Sequence, residues 1–161
     1  MMLSRACQYG ILLTIHLAVR GEEGYLPVHT AAADLGLSAH FLAKIVQQMS
    51  HAGLVKSYRG PHGGVALGSE PDSIRLRDVV QAIDGMEGLE CCALGLPGCG
   101  EEKPCPVHDS WSVIRIDFVQ MLERTTLGYL ARRLGHEPLR LSSLESVLEP
   151  PAPNPPNHRL A

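Results

Sequence analysis

Residues 28–67 read VHTAAADLGLSAHFLAKIVQQMSHAGLVKSYRGPHGGVAL, and this stretch decides the fold. An alanine-rich helical segment ends at Gly36, and Ser38 is placed to cap the next helix, whose apolar residues recur at helical spacing. Gly53 ends that helix. A glycine-rich turn, RGPHGG at 59–64, then separates two short apolar segments. These segments are predicted to be strands at 54–58 and 65–67.

The flanking segments are predicted to be helical as well. Ser4 can cap a first helix that ends near Gly21, and a small helix is marked by apolar residues from Ile74 to Ile83. A long helix that begins at Trp111 has two apolar faces, and such a helix packs both on its own domain and on another subunit. One face holds Trp111, Ile114, Phe118 and Met121, and the other holds Val113, Ile116 and Val119.

Helix, short helix, glycine turn, helix and hairpin follow one another in the order of a winged helix-turn-helix. We therefore predict a mainly α fold with a small β-wing, in which a winged helix-turn-helix DNA-binding domain precedes a long dimerisation helix. The DNA-binding domain occupies 1–84, a cysteine-rich loop 85–110 and the dimerisation helix region 111–136. The prolines of 137–161 predict a flexible tail.

Charge is distributed unevenly along the 161 residues, whose formal net charge is −3. No acidic residue lies between Asp34 and Glu70, while Lys44, Lys56 and Arg59 lie inside this window. The window is therefore +3, and the remainder of the chain is −6. A basic patch on an otherwise acidic protein is typical of a face that binds the phosphates of nucleic acid.

The predicted DNA contacts follow from the chemistry of the two grooves. Side chains near the N-terminus of a recognition helix read base edges in the major groove, where Gln47 can bond bidentately to adenine. Arg59, on a slim glycine-rich turn, can enter the minor groove. Phe41 is a candidate both for a DNA contact and for the core. The full set of predicted contacts is Ser38, His40, Phe41, Lys44, Gln47, Lys56, Arg59 and His62.

Several classes of protein are excluded by the sequence. No apolar stretch approaches the roughly 18 residues of a membrane span, and the N-terminal segment lacks the layout of a signal peptide. Nucleotide-binding and flavin motifs are missing, and the consecutive residues His108, Asp109 and Ser110 are not arranged as a catalytic triad. We expect a cytoplasmic protein that is neither an enzyme nor bound to a membrane.

Residues 91–108 read CCALGLPGCGEEKPCPVH and contain four of the five cysteines. In a reducing compartment such a cluster indicates metal binding or redox chemistry, since disulfides do not persist there. Soft ligands on a flexible loop suit a soft metal or an iron–sulfur cluster. Gaps of six and five residues between cysteines differ from the close pairs common in zinc sites, although structural zinc and metal-free thiol chemistry stay open as alternatives.

Over about residues 3–134 the chain resembles a family of winged-helix regulators that includes the iron–sulfur cluster regulator IscR and the nitric-oxide sensor NsrR. The resemblance implies a homodimer, with the helix at 111–123 crossing its partner. The matching motifs are QYG at 8–10, GLVKS at 53–57, RGPHGG at 59–64, DVV at 78–80 and TLG at 126–128, together with the cysteine loop.

This resemblance also implies a ligand set for an iron–sulfur cluster. Three cysteines and a histidine shortly after the third match Cys92, Cys99, Cys105 and His108, and the histidine favours a 2Fe-2S cluster over a 4Fe-4S cluster. Cys91 is an alternative first ligand, and Cys92 is preferred because it keeps the loop shorter. NsrR-like members use a carboxylate from the first helix of the other subunit, and Gln8 at the matching position is a poor ligand.

The combined prediction is a homodimeric, sequence-specific transcriptional regulator on a double-stranded DNA operator. An iron–sulfur cluster in the 85–110 loop is expected to control its DNA affinity in response to redox state, nitric oxide, or iron and sulfur status. The alternative is a regulator of the same fold without a cluster, which cysteine oxidation or a partner protein controls.

Overall fold

The computed structural model describes residues 3–21, 24–60 and 63–136. Within them, the chain forms helices and one two-stranded antiparallel sheet, and the order of the elements agrees with the predicted winged helix-turn-helix. The elements are α1 (Arg5–Arg20), α2 (Val28–Asp34), α3 (Ala39–His51), β1 (Val55–Tyr58), β2 (Gly64–Leu67), a 3₁₀ turn (Pro71–Ser73), α4 (Leu76–Ile83), α5 (Glu87–Glu90), α6 (His108–Arg124) and α7 (Leu127–His136).

Local hydrogen bonds set the ends of the first and third helices, as the sequence predicts. The Ser4 hydroxyl accepts a 3.1 Å hydrogen bond from the backbone N–H of Cys7, and the Ser38 hydroxyl accepts one of 3.2 Å from Phe41. Gly53, at φ 74°, follows the last turn of α3 in a conformation that disfavours other residues. These caps turn the chain sharply into α3 and out of it toward the wing.

The wing contains β1 and β2, with Val55 opposite Leu67 and Tyr58 opposite Gly64. Leu26 pairs with the wing as an isolated antiparallel bridge, because its backbone N–H and C=O both bond to Val65, at 2.9 and 2.8 Å. A Cβ atom on Gly64 would collide with the backbone at Leu26. Glycine at this position therefore lets the chain before α2 close against the wing.

Helix α1 lies at the centre of the domain and packs on α3, α4 and α7. The approach is close at Gly10, where an added Cβ would overlap Ile83 and would lie 3.5 Å from Ile45 and from Met49. The largest fully buried side chains all come from this core: Leu13, Leu26, Leu35, Leu42, Ile45, Met49, Val55, Val65, Val79, Val80, Leu122 and Leu127.

Three features near the C-terminal end differ from the prediction. The short helix α5 lies inside the predicted loop, and α6 begins at His108, ahead of Trp111. Extended backbone at Thr125 ends α6, after which α7 is a separate helix that returns to pack on α1. Two hydrogen bonds of 2.7 and 2.9 Å from Arg132 to Asp72 join α7 to the 3₁₀ turn. The predicted tail at 137–161 lies outside the described residues.

The two apolar faces of α6 divide differently from the prediction. One side of the helix packs on its own domain, through Phe118, Val119 and Leu122, and Trp111 on the same side lines a cavity with Val80 and Leu89. Ile114 and Met121, which the prediction grouped with Trp111 and Phe118, are instead exposed. The exposed apolar side chains of α6 are Val113, Ile114, Ile116 and Met121, each about half exposed.

Candidate metal centre and nucleic-acid interface

Three cysteine sulfurs converge between α5 and α6. The Sγ atoms of Cys92, Cys99 and Cys105 all lie within 4.8 Å of one another, and those of Cys92 and Cys105 are 3.6 Å apart. The Nδ1 atom of His108 lies 3.4 Å from the Sγ atom of Cys99. The fold thus brings together four of the side chains that were predicted as ligands. We call these four, Cys92, Cys99, Cys105 and His108, the thiol–imidazole site.

Tight backbone turns build this site from a segment that contains little regular structure. The N–H of Gly95 donates to the carbonyl of Cys92 at 2.9 Å, and the N–H of His108 donates to the carbonyl of Cys105, also at 2.9 Å. His108 is the first residue of α6, so the helix positions its imidazole. The three thiols are half-buried, which leaves them accessible to a metal.

The local electrostatics favour ionisation of one thiol in particular. Backbone N–H groups of Leu96 and Leu94 hydrogen-bond to the Cys92 sulfur and lower the pKa of this thiol to about 7. The N–H of Cys105 acts in the same direction on Cys99, but burial and the neighbouring thiols raise the pKa of Cys99 on balance. Thiolate is the form that binds metals, so Cys92 is prepared to bind one near neutral pH.

The donor set fits a soft metal centre. Thiolate sulfurs about 2.3 Å from a tetrahedral metal lie about 3.8 Å from one another. The 3.6 Å separation of the Cys92 and Cys105 sulfurs is close to that value. Three thiols and one imidazole complete four ligands, and both iron–sulfur clusters and zinc accept these donors.

Cys91 and Gln8 lie outside this arrangement. The Cys91 thiol is exposed and donates to the carbonyl of Glu87 at 3.3 Å. The amide of Gln8 donates to the carbonyl of Leu3 at 3.2 Å. The buried Cys7 thiol has its pKa raised to about 12, first by burial and then by the charge of Asp84 and a hydrogen bond to it. Cys7 is therefore a small residue of the core.

A groove of about 550 Å³ runs between α3 and the wing. Four of the predicted DNA contacts line it, namely His40, Lys44, Gln47 and Arg59. Lys56 lines a different cavity, together with Leu17, Ala66 and Leu67. Its side chain is exposed, and its role as a DNA contact stays a prediction.

The remaining predicted contacts lie at the edge of this groove or beyond the described residues. Phe41 is 37% exposed and packs edge-to-face on Tyr9 of α1, with ring centroids 6.1 Å apart. Its ring is thus shared between the core and the surface. The Ser38 hydroxyl is occupied as the cap of α3. His62 lies outside the described residues.

Comparison with known proteins identifies the family. The chain matches, over residues 3–133, the model of the Rrf2 family, described as an iron-dependent transcriptional regulator. It belongs to the Rrf2 family.

Rrf2-family relatives with established names cover most of the chain. The regulator CymR of Bacillus subtilis is 36% identical over 135 residues, which are 81% of this chain and 90% of CymR. Its solved structure, described as that of the global cysteine regulator, has a TM-score of 0.67 at 33% identity and covers 81% of this chain and 95% of that one. The regulator IscR of Aliivibrio salmonicida is 30% identical over 130 residues, 81% of this chain and 77% of IscR. This Rrf2-family chain is therefore a transcriptional regulator of the winged-helix type.

The sequence did not predict a role for two residues of this Rrf2-family regulator, Tyr58 and Trp111. Tyr58 is 61% exposed and lines the groove beside Arg59, with the ring of Tyr25 6.0 Å away. Trp111 donates an indole N–H hydrogen bond of 2.8 Å to the carbonyl of Cys91. The sequence signal that could have identified Tyr58 is its position at the end of the predicted strand, directly before the glycine-rich turn. Trp111, the single tryptophan, lies one helical turn after His108.

None of the helices in the described part of the chain is long and apolar enough to cross a membrane.

Proposed function

We propose that this Rrf2-family regulator is a homodimer that binds a double-stranded DNA operator in the cytoplasm, where an iron–sulfur cluster controls its affinity. Cys92, Cys99, Cys105 and His108 are the proposed ligands. The observation that carries this proposal is the convergence of three sulfurs and an imidazole at the N-terminus of α6. A cluster with one histidine ligand is best assigned as 2Fe-2S, with 4Fe-4S as the alternative.

Exposed apolar side chains on α6 support the dimer. Val113, Ile114, Ile116 and Met121 present an exposed apolar surface on a helix whose other side packs on its own domain through Phe118, Val119 and Leu122. Contiguous apolar surface on a soluble domain marks an interaction site. A second copy of α6 offers the same apolar surface, so the two helices can cover each other in a symmetric interface.

The proposed control of DNA affinity acts through the two ends of the cysteine-rich loop. When bound, the cluster supplies metal–ligand bonds that join the segment after α5 to the first residue of α6. His108 thereby orients α6, and Glu123 near the other end of α6 pairs with Arg77 of α4 at 3.3 Å. Because α4 packs on α1 and α3, ordering the loop favours one placement of the recognition helices over another.

The proposed DNA contacts divide between two grooves. Residues His40, Lys44 and Gln47 of α3 face the groove beside the wing and would read the major groove. Arg59 at the end of β1, with His62, would reach the adjacent minor groove. Lys56, Ser38 and Phe41 would contact the backbone at the edges of this face. A homodimer would then read a near-palindromic operator.

Anaerobic purification followed by iron, sulfide and absorption measurements tests this proposal. The wild-type protein should be coloured and contain both elements, and Cys99→Ala should be colourless. Cys91→Ala is the matched control, since this exposed thiol lies outside the thiol–imidazole site. Operator affinity should differ between loaded and unloaded wild-type protein, and identical affinities would refute cluster control.

A second candidate function is thiol-based control without a cluster. It is favoured by the 36% identity to CymR and by the 3.6 Å between the Cys92 and Cys105 sulfurs. Oxidation by a peroxide would remove two electrons and two protons from these thiols, form one disulfide and reduce the peroxide to water or alcohol. Protein that is free of iron after anaerobic purification, and whose operator affinity changes with peroxide and recovers with dithiothreitol, would establish this function.

A further inference from the structure

Cys91 and Cys92 are consecutive residues of the cysteine-rich loop, and their thiols have different surroundings. The Cys92 sulfur lies 3.6 Å from that of Cys105, inside the thiol–imidazole site. The Cys91 sulfur is exposed and donates to the carbonyl of Glu87 at 3.3 Å. Both thiols have the same intrinsic affinity for a soft metal, so their surroundings must decide which of them binds.

A hydrogen bond from Trp111 restrains the backbone of Cys91 and so gives the two thiols different positions. Its indole N–H donates a 2.8 Å hydrogen bond to the carbonyl of Cys91, and both residues line a cavity of about 620 Å³ beside the loop. This bond joins residues 20 positions apart and ties the start of the loop to α6. Cys91 has an extended backbone, at φ −74° and ψ 152°. In extended backbone, consecutive side chains point to opposite sides, so an outward Cys91 places Cys92 inward.

We propose that Trp111 is a positioning residue that selects Cys92 over Cys91 as the first ligand. In this role Trp111 acts through its hydrogen bond to the Cys91 carbonyl. Rotation of the peptide that would bring the Cys91 sulfur inward breaks the indole hydrogen bond and the bond to Glu87. The inference rests on the proposed metal-binding function, and it adds a cause for the choice between vicinal thiols.

Four variants of the full-length protein test this selection: Cys91→Ala, Cys92→Ala, Trp111→Phe and the double variant Trp111→Phe with Cys92→Ala. Each is loaded anaerobically with ferrous iron and sulfide, and iron and sulfide are measured per chain. Phenylalanine keeps an aromatic ring in the cavity and removes only the donor. Circular dichroism verifies that each variant folds.

The expected pattern is asymmetric. Cys91→Ala should load like the wild type, and Cys92→Ala should retain under about a tenth of the iron, because Trp111 holds Cys91 outside. The double variant should hold about threefold or more iron per chain than Cys92→Ala, in line with the loss of one hydrogen bond. Equal loading of Cys91→Ala and Cys92→Ala would overturn the inference, as would a double variant that loads no better than Cys92→Ala.

A measurement without iron separates this inference from the proposed function. Cadmium ions bind thiolates and protect them from iodoacetamide, and mass spectrometry reports each cysteine separately. With cadmium present, Cys91 of the wild type should be alkylated at least about tenfold faster than Cys92. Trp111→Phe should lower this ratio of alkylation rates about threefold. An unchanged ratio would refute the role of Trp111. Wild-type protein that takes up no iron but shows the expected ratios would refute only the cluster.

Discussion

The Nδ1 atom of His108 lies 3.4 Å from the Sγ atom of Cys99, so the first residue of α6 meets a loop cysteine nine positions earlier. This contact makes the helix itself part of the thiol–imidazole site. A change at His108 therefore alters the ligand chemistry and the attachment of α6 at the same time.

Replacing His108 by cysteine tests its role as a ligand. His108→Cys should keep a cluster and lower its reduction potential by on the order of 100 mV, because imidazole raises the potential relative to thiolate. His108→Ala should lose most of the iron. Redox titration followed by electron paramagnetic resonance measures the potential, with Cys91→Ala as the control. A potential unaffected by His108→Cys would show that the imidazole is not a ligand.

Removing the Arg59 side chain tests the DNA-binding face. Arg59→Ala should weaken operator binding by about 1–3 kcal/mol and reduce the slope of log affinity against log salt by about one. Fluorescence anisotropy across a salt series measures both quantities. Lys103→Ala, which removes the same charge from an exposed site in the cysteine loop, should leave both unchanged. Equal effects of the two variants would contradict a specific contact by Arg59.

Packing around Gly10 can be tested by adding one methyl group. Relative to the control below, Gly10→Ala should destabilise the domain by about 1–3 kcal/mol, because the new Cβ overlaps the terminal methyl of Ile83, which must shift within the core. Urea unfolding of the metal-free protein gives the change in free energy. Gly88→Ala is the control, since an added Cβ there meets no atom within 4 Å. A Gly10→Ala variant as stable as Gly88→Ala would argue against this close approach of α1, α3 and α4.

The buried Cys7 thiol predicts a stability effect at alkaline pH. Its pKa is raised to about 12 in the folded protein, by burial first and then by Asp84, whereas an unperturbed thiol titrates near 9. The folded state therefore binds the proton more tightly, and the resulting stability is complete below pH 9 and lost as the pH rises toward 12.

Comparison of Cys7→Ala with the wild type isolates this effect. The stability difference between the two proteins should be constant below pH 9 and should shift against the wild type at higher pH. Urea unfolding from pH 7 to 10.5 gives the difference, and Cys91→Ala should show no such shift. A constant difference between Cys7→Ala and the wild type over the whole range would show that Cys7 titrates normally.

Much of the winged domain could be predicted because its signals are local. The caps at Ser4 and Ser38 each involve a backbone N–H three residues away, and the Gly53 turn is equally short. Apolar periodicity similarly placed Leu42 and Ile45 of α3 in the core. Such signals depend on neighbours within one helical turn, which the sequence displays directly.

The parts that the sequence left open or mispredicted depend on distant contacts. The return of α7 onto α1 involves Arg132 and Asp72, which are 60 positions apart. The side of the wing that Lys56 faces depends on the pairing of β1 with β2 and on α3 behind them. The apolar pattern of α6 shows that the helix has apolar faces, but only packing shows which of its apolar side chains meet the core.

By itself, the sequence determined the winged helix-turn-helix order and the soft ligand types of the 85–110 loop, because caps, periodicity and residue chemistry operate over a few neighbouring positions. Only the tertiary structure decided that three sulfurs and an imidazole converge, and that Cys92 rather than Cys91 lies among them. A flexible loop has many conformations of similar local energy. The choice among them is made by contacts such as that of Trp111 with Cys91, which form only when α6 is in place.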